Sequence, residues 1–151
     1  MVVIVSGIKR EWLAAMVYLL ILVLVVNVHF IGLADLNVYG INISLYSTFA
    51  YIFYCLILVG YKDDYVRHHM IVSVGTFFVY FFLSSLYSGM MFVLGYEVNV
   101  ISWALLKNAN FGGWVAIAPL LAILVHTAMS AVRGIKLSLD GKDPHGKLAA
   151  E

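Results

Sequence analysis

"WLAAMVYLLILVLVVNVHFIGL", residues 12–33, runs for 22 residues without an Asp, Glu, Lys or Arg. About 20 apolar residues make a helix long enough to cross about 30 Å of hydrocarbon. Three more runs have the same character. They are "ISLYSTFAYIFYCLILVGY" at 43–61, "MIVSVGTFFVYFFLSSLYSGMMFVLG" at 70–95 and "FGGWVAIAPLLAILVHTAMSAVR" at 111–133. An unpaired backbone group is too costly in lipid, so each run is expected to be a helix. The expected fold is therefore an all-α integral membrane bundle of four transmembrane helices, with a short polar tail over 134–151.

Composition agrees with this reading. Of the 151 residues, 64% are hydrophobic and 11% are charged. Mean hydropathy is +0.99. A soluble domain is about 25% charged, and so short a chain has too little interior for this much apolar surface. Lipid must take the excess. The single cysteine, Cys55, excludes an internal disulfide and an all-cysteine metal site. A net charge of +1 provides no field for nucleic acid. We expect the partners to be the bilayer and other membrane subunits.

Orientation follows from the basic residues. Lys9, Arg10, Lys62, Arg67, Arg133, Lys136, Lys142 and Lys147 fall on one side of the four-span scheme, and Lys107 alone falls on the other. The positive-inside rule puts both termini and the loop 62–69 in the cytoplasm of a multi-pass cell-membrane protein. The outer loop over 96–110 is expected to carry Trp103 to the interface, with Phe111 and Trp114 beside it as an aromatic belt. Lys9 and Arg10 before an apolar run also fit a signal peptide. The run exceeds the usual length of about 7–15 residues and no clean small-residue cleavage site follows, so we read it as a retained helix.

The polar residues inside the spans form stripes. In the third span His69, Ser73, Thr76, Tyr80, Ser84 and Tyr87 recur at steps of 4, 3, 4, 4 and 3, which is one helix face. In the second, Ser44, Ser47, Thr48, Tyr51, Tyr54, Cys55 and Tyr61 trace another. In the fourth, His126, Ser130 and Arg133 line up, with Thr127 beside them. Lipid cannot satisfy these groups, so the stripes are expected to face one another in a bundle of the second, third and fourth spans. The first span offers that bundle only Asn27 and His29. One reading of the stripes is packing, with hydroxyls bonding between helices and small pairs such as Ser84/Ser88, Ser85/Gly89 and Ser130/Gly134 allowing close approach. The other is a cavity lined for a quinone or a haem propionate.

Histidines are the candidate ligands. His126 lies seven residues from the inner end of its span, about 10 Å deep. An ionisable group at that depth is costly and marks function, or else bonds a hydroxyl such as Ser130. His68 and His69 stand at the inner surface about 100° apart around a helix, so one of them at most faces the bundle. His69 is on the stripe. The candidate metal ligands are His126, His69 and His68. For a haem b or quinone the candidates are His126, His69 and Arg133. Two axial histidines must share a depth, whereas these span bounds put His126 and His69 about 10 Å apart. His29 is expected to cap its helix or anchor an interface, and His145 to be solvated in the tail. No span carries a carboxylate relay, and no phosphate loop or zinc-protease motif is present, so no independent catalysis is expected.

Two stretches carry a resemblance: "LILVGYKDDYVRHHMIVSV" at 56–74 and "LLAILVHTAMSAVRGIKL" at 120–137. They resemble a family of small polytopic membrane proteins whose bacterial members act in the maturation of haem–copper terminal oxidases. The matching elements are Gly60, Tyr61, His68 or His69, and His126. The resemblance implies an accessory or assembly subunit of a respiratory complex. "HTAMSAVRG", at 126–134, is also similar to a helix of the cytochrome b anchors of succinate dehydrogenases. That similarity implies a haem ligand at His126 and a propionate or quinone contact at Arg133.

Overall fold

A computed structural model describes residues 9–31, 36–38, 41–95 and 111–146. The elements are α1 (Arg10–Val26, continued by a π-helical turn Asn27–Ile31), β1 (Leu36–Val38), β2 (Ile41–Ile43), α2 (Leu45–Val59), α3 (Asp64–Val93) and α4 (Phe111–Leu139). The described residues are helical apart from turns and a short antiparallel hairpin, in which Leu36 faces Ile43 and Val38 faces Ile41. Among the described residues three helical stretches are long and apolar enough to cross a membrane: Arg10–Ile31, Asp64–Val93 and Gly113–Leu139. The fourth apolar helix, α2, has 15 residues, or about 22 Å.

Local chemistry sets the helix ends, and two of them differ from the expected bounds. Hydropathy starts the third span at Met70, but α3 starts six residues earlier. Asp63 is its N-cap, and its carboxylate accepts from the amides of Tyr65 and Val66 at 2.9 and 3.3 Å. A carboxylate in that place satisfies amides that the first helical turn leaves unbonded. Arg133 was expected to close the fourth span, yet α4 continues to Leu139. The stop is Gly141 at φ 68°, with Gly141 N donating to Ser138 O and Lys142 N donating to Leu137 O. This pair of bonds is a Schellman turn, and it needs a residue without a Cβ at the left-handed position.

The packing centre also differs from expectation. The bundle was expected to be made by the second, third and fourth spans; instead α1 is its middle. It packs against α2, α3 and α4. Leu13, Val17, Ile21, Leu24 and Val28 bury one side of it, and Ala14, Tyr18 and Val25 bury the adjoining side. Hydropathy cannot reveal this, because a lipid-facing leucine and a helix-facing leucine look alike in a bilayer. The inward stripes on α2 and α3 are as expected. Tyr51 and Tyr80 are 2% and 3% exposed, and His69, Ser73 and Ser84 are buried.

On α4 the expected stripe misses the inward face. His126 and Arg133 are exposed and Ser130 is half-buried. Apart from Ala116, the buried positions are Ile117, Leu120, Leu124, Thr127, Ala131, Gly134 and Ser138, alternating in steps of 3 and 4. Small side chains, more than polar ones, let helices approach in lipid, so the Ala131–Gly134–Ser138 line wins over the His126–Ser130–Arg133 line. Gly134 makes the contact with α1. A Cβ there would lie 2.5 Å from the Tyr18 ring.

The bundle has an end that gathers lysine and arginine, with Glu11, Asp63, Asp64, Asp140 and Asp143 among them. The Arg10 guanidinium carbon stands 5.3 Å from the Tyr65 ring centre, and Tyr65 in turn reaches α4 near Ser138. The start of α1, the 60–63 connection and the end of α4 therefore meet, and they bring Arg10, Lys62, Arg67, Lys136 and Lys142 to one end. Trp103, Lys107 and Lys147 lie outside the described residues.

Candidate functional site

Along the bundle runs a seam of tyrosine, histidine and small hydroxyl side chains. Its end nearest Arg10 and Arg67 is built on His69. The α3 N-cap starts the helix early enough to put His69 in the second turn, fully buried. The Schellman turn aims the Lys142 carbonyl at the ring, and His69 Nε2 lies 2.8 Å from that oxygen. A carbonyl only accepts, so Nε2 carries the proton. In the neutral ring Nδ1 is then an acceptor. It faces the Tyr18 hydroxyl at 3.2 Å, and that hydroxyl donates to it.

Aromatic packing holds the ring in place. Tyr65 lies edge-on at 4.7 Å between centroids and Tyr18 edge-on at 5.8 Å. The Tyr65 hydroxyl donates to Ser138 O at 2.7 Å. A single histidine thus joins α1, α3 and the turn after α4.

The middle of the seam links α2. Ser73 Oγ donates to Met70 O at 2.9 Å, which spends its proton. The Tyr51 hydroxyl, 3.1 Å away, therefore donates to Ser73 Oγ. Tyr54 donates to Leu13 O at 3.1 Å and ties α2 to α1.

The opposite end is built on His29, in the π-helical turn. His29 Nε2 and the Tyr80 hydroxyl are 2.9 Å apart. Asn27 Nδ2 donates to Ser47 Oγ at 2.7 Å, and Ser44 Oγ donates to Ser47 Oγ at 3.2 Å. Tyr87 donates to Ala116 O and joins α3 to α4. Expected at an interface, His29 is instead 4% exposed and inside the seam.

The division of labour among hydroxyls is not the one expected. Ser73, Thr76, Ser84, Thr127 and Ser138 each donate to a carbonyl of their own helix. These short hydroxyls fold back on the preceding turn of their own helix. Among the hydroxyls donating from one helix to another are those of Tyr51, Tyr54, Tyr65 and Tyr87, whose rings have the reach.

The candidate ligands do not converge. Beside Tyr80, Val79 and Leu83, His126 lies on the rim of a shallow cleft of about 200 Å³ between α3 and α4. His69 precedes Tyr80 by eleven residues on the same helix, about 16 Å lower. His69 and His126 thus differ both in height and in facing, and each nitrogen of His69 already has a partner. His68 is exposed, with its ring 5.5 Å from that of His145. Arg133 is exposed on α4. Among the described residues no three His, Cys, Asp or Glu side chains are grouped to hold a metal ion.

Sequence reading missed Tyr18, Tyr65 and Gly134. Tyr18 carried a signal, since it is the only hydroxyl in α1. A hydroxyl alone in an otherwise apolar helix needs a partner on another helix. Gly134 was noted only as half of a small pair with Ser130. Chemically, the seam is a set of matched donors and acceptors that fixes four helices to one another. No protein-family model, curated protein or solved structure matches the chain.

Proposed function

We propose that the chain is a four-span membrane subunit with the end that gathers lysine and arginine in the cytoplasm, acting as an accessory or assembly subunit of a larger membrane complex. The observation that carries this reading is how the polar groups are used. The imidazole of His69 and the hydroxyls of Tyr18, Tyr51, Tyr54, Tyr65, Tyr80 and Tyr87 are all engaged inside the bundle. The exposed flanks of α2 and α3 are largely apolar, including Phe49, Phe53, Leu56, Phe78, Phe82 and Leu86. Such a surface suits acyl chains and neighbouring helices. In this reading α2 crosses as well. It runs antiparallel to α1, with Ser47 bonded to Asn27 and Tyr54 to Leu13. Its flanking residues 41–44 and 60–63 extend it towards the thickness of the hydrocarbon.

The complex we propose is respiratory, of the haem–copper oxidase type, and this rests on the resemblance of residues 56–74 and 120–137 alone. Gentle detergent extraction followed by mass identification of what co-purifies tests it. Oxidase subunits recovered with the chain support the proposal; the chain recovered alone overturns it. An absorption spectrum of the same sample separates the haem-anchor reading, since a Soret band stoichiometric with this chain requires an axial ligand in it. Single cysteines placed at Lys62 and Leu36 test the topology, in a Cys55→Ser background. Labelling of the Leu36 position alone by an impermeant reagent on intact cells is the expected result.

A further inference from the structure

The outward face of α4 differs from those of its neighbours. Where α2 and α3 turn Phe53, Leu56, Phe78 and Phe82 outward, α4 exposes Ala118, Ala122 and His126, each one helical turn from the next. His126 is the middle residue of the apolar stretch Gly113–Leu139, the depth farthest from water. It is exposed there, and among the described residues it has no hydrogen-bond partner. Its polar neighbours in the shallow cleft are engaged elsewhere: the Tyr80 hydroxyl pairs with His29, and Thr127 donates to Ile123 O. Hydrocarbon cannot bond an imidazole, so the ring costs free energy until a polar group reaches it from outside the chain.

Symmetry identifies that group. Copies of one chain inserted in one orientation carry His126 at the same depth, and a two-fold axis along the membrane normal beside this face brings the two rings together. A neutral imidazole has one N–H donor and one acceptor nitrogen, so the ring complements itself: one copy donates and the other accepts. Size permits the approach. Ala118 and Ala122 let two α4 backbones come close beside the rings, where the phenylalanines of α2 and α3 would hold helices apart. Arg133 falls on the same line of α4, seven residues nearer its end, and is exposed. Helices that cross at small residues diverge away from the crossing, and the long arginine stem carries its charge towards the headgroups, so the two guanidinium groups part and stay solvated.

We propose that the chain forms a parallel homodimer through the outward face of α4, with His126 hydrogen-bonded to His126 of the second copy and Ala118 and Ala122 at the crossing. The interface rests on the reading that α4 spans the bilayer in one orientation, and the oxidase reading can fail without it.

Sedimentation equilibrium of the full chain in density-matched mild detergent tests the interface. A reversible dimer is expected for the wild-type chain. His126→Leu is expected to raise its dissociation constant about fivefold or more, and His126→Asn, whose amide also donates and accepts, to restore it. Ala122→Ile is expected to weaken the dimer likewise, and Phe53→Ala to leave it unchanged. Helix content and the unfolding midpoint, measured where the chain is monomeric, are expected to stay the same in the His126 and Ala122 variants, since the loss falls on association. In the membrane, with Cys55→Ser as background, Ala122→Cys is expected to cross-link to a second copy on oxidation and Phe53→Cys is not. A wild-type chain that stays monomeric overturns the proposal. So does a dimer that His126→Leu leaves intact, or one that cross-links equally well at Phe53→Cys. Pairing through His126 with a different protein, and not with a second copy, overturns it as well.

Discussion

His69 Nε2 donates to the carbonyl oxygen of Lys142, 2.8 Å away and 73 positions later in the chain. The bond exists because two local motifs meet, the N-cap at Asp63 and the Schellman turn at Gly141. The first sets the register of α3, and the second turns a backbone oxygen back towards the bundle. The same ring accepts from Tyr18 of α1, so three elements share one side chain.

Replacing His69 by Ala removes the partner of the Tyr18 hydroxyl and of the Lys142 carbonyl at once. Each unsatisfied buried group costs about 1–3 kcal/mol. We expect the unfolding midpoint of the detergent-solubilised chain to drop, and limited proteolysis to cut sooner after Leu139. An unchanged midpoint would show that the bond contributes nothing to stability.

Gly134→Ala places a methyl 2.5 Å from the Tyr18 ring, inside a close-packed contact. Overpacking of this kind costs about 1–3 kcal/mol. Gly89→Ala is the matched control, because a Cβ there meets nothing within 4 Å. Thermal unfolding is expected to separate the two variants clearly. Equal midpoints would mean that α1 and α4 are farther apart than described.

Asp63→Ala removes the N-cap of α3, whose carboxylate accepts from two amides. The expected loss is about 1 kcal/mol, and Asp63→Asn or Asp63→Ser is expected to restore most of it. Failure of the conservative variants to rescue would point to the charge, rather than the cap, as the cause.

His126→Ala tests the exposed placement of that ring. A side chain on the surface, away from the seam, is expected to change stability by no more than about 0.5 kcal/mol. A loss several times larger would return His126 to the interior, where the sequence stripe had placed it.

Residues 12–33, 70–95 and 111–133 announced membrane-spanning helices because hydropathy and length suffice for that. The stripes on α2 and α3 were legible too. Ser47, Tyr51, Ser73 and Tyr80 are polar groups among apolar ones, and lipid leaves them one direction to face. The fourth helix misled the same reasoning. His126 and Arg133 are polar yet exposed, while Ala131, Gly134 and Ser138 pack because they are small, a quality that hydropathy does not register. Nor could hydropathy place α1 at the centre, for in a bilayer both faces of an apolar helix are equally at home.

By itself, then, the sequence determined the solvent. Its apolar runs require lipid and its basic residues gather at one end, since both follow from composition along the chain. Tertiary structure alone decided which faces meet, and therefore which histidine is clamped and which lies on a rim. Those choices depend on side-chain volume at contacts between residues far apart in sequence, where Tyr18 fits over Gly134 and nothing larger would.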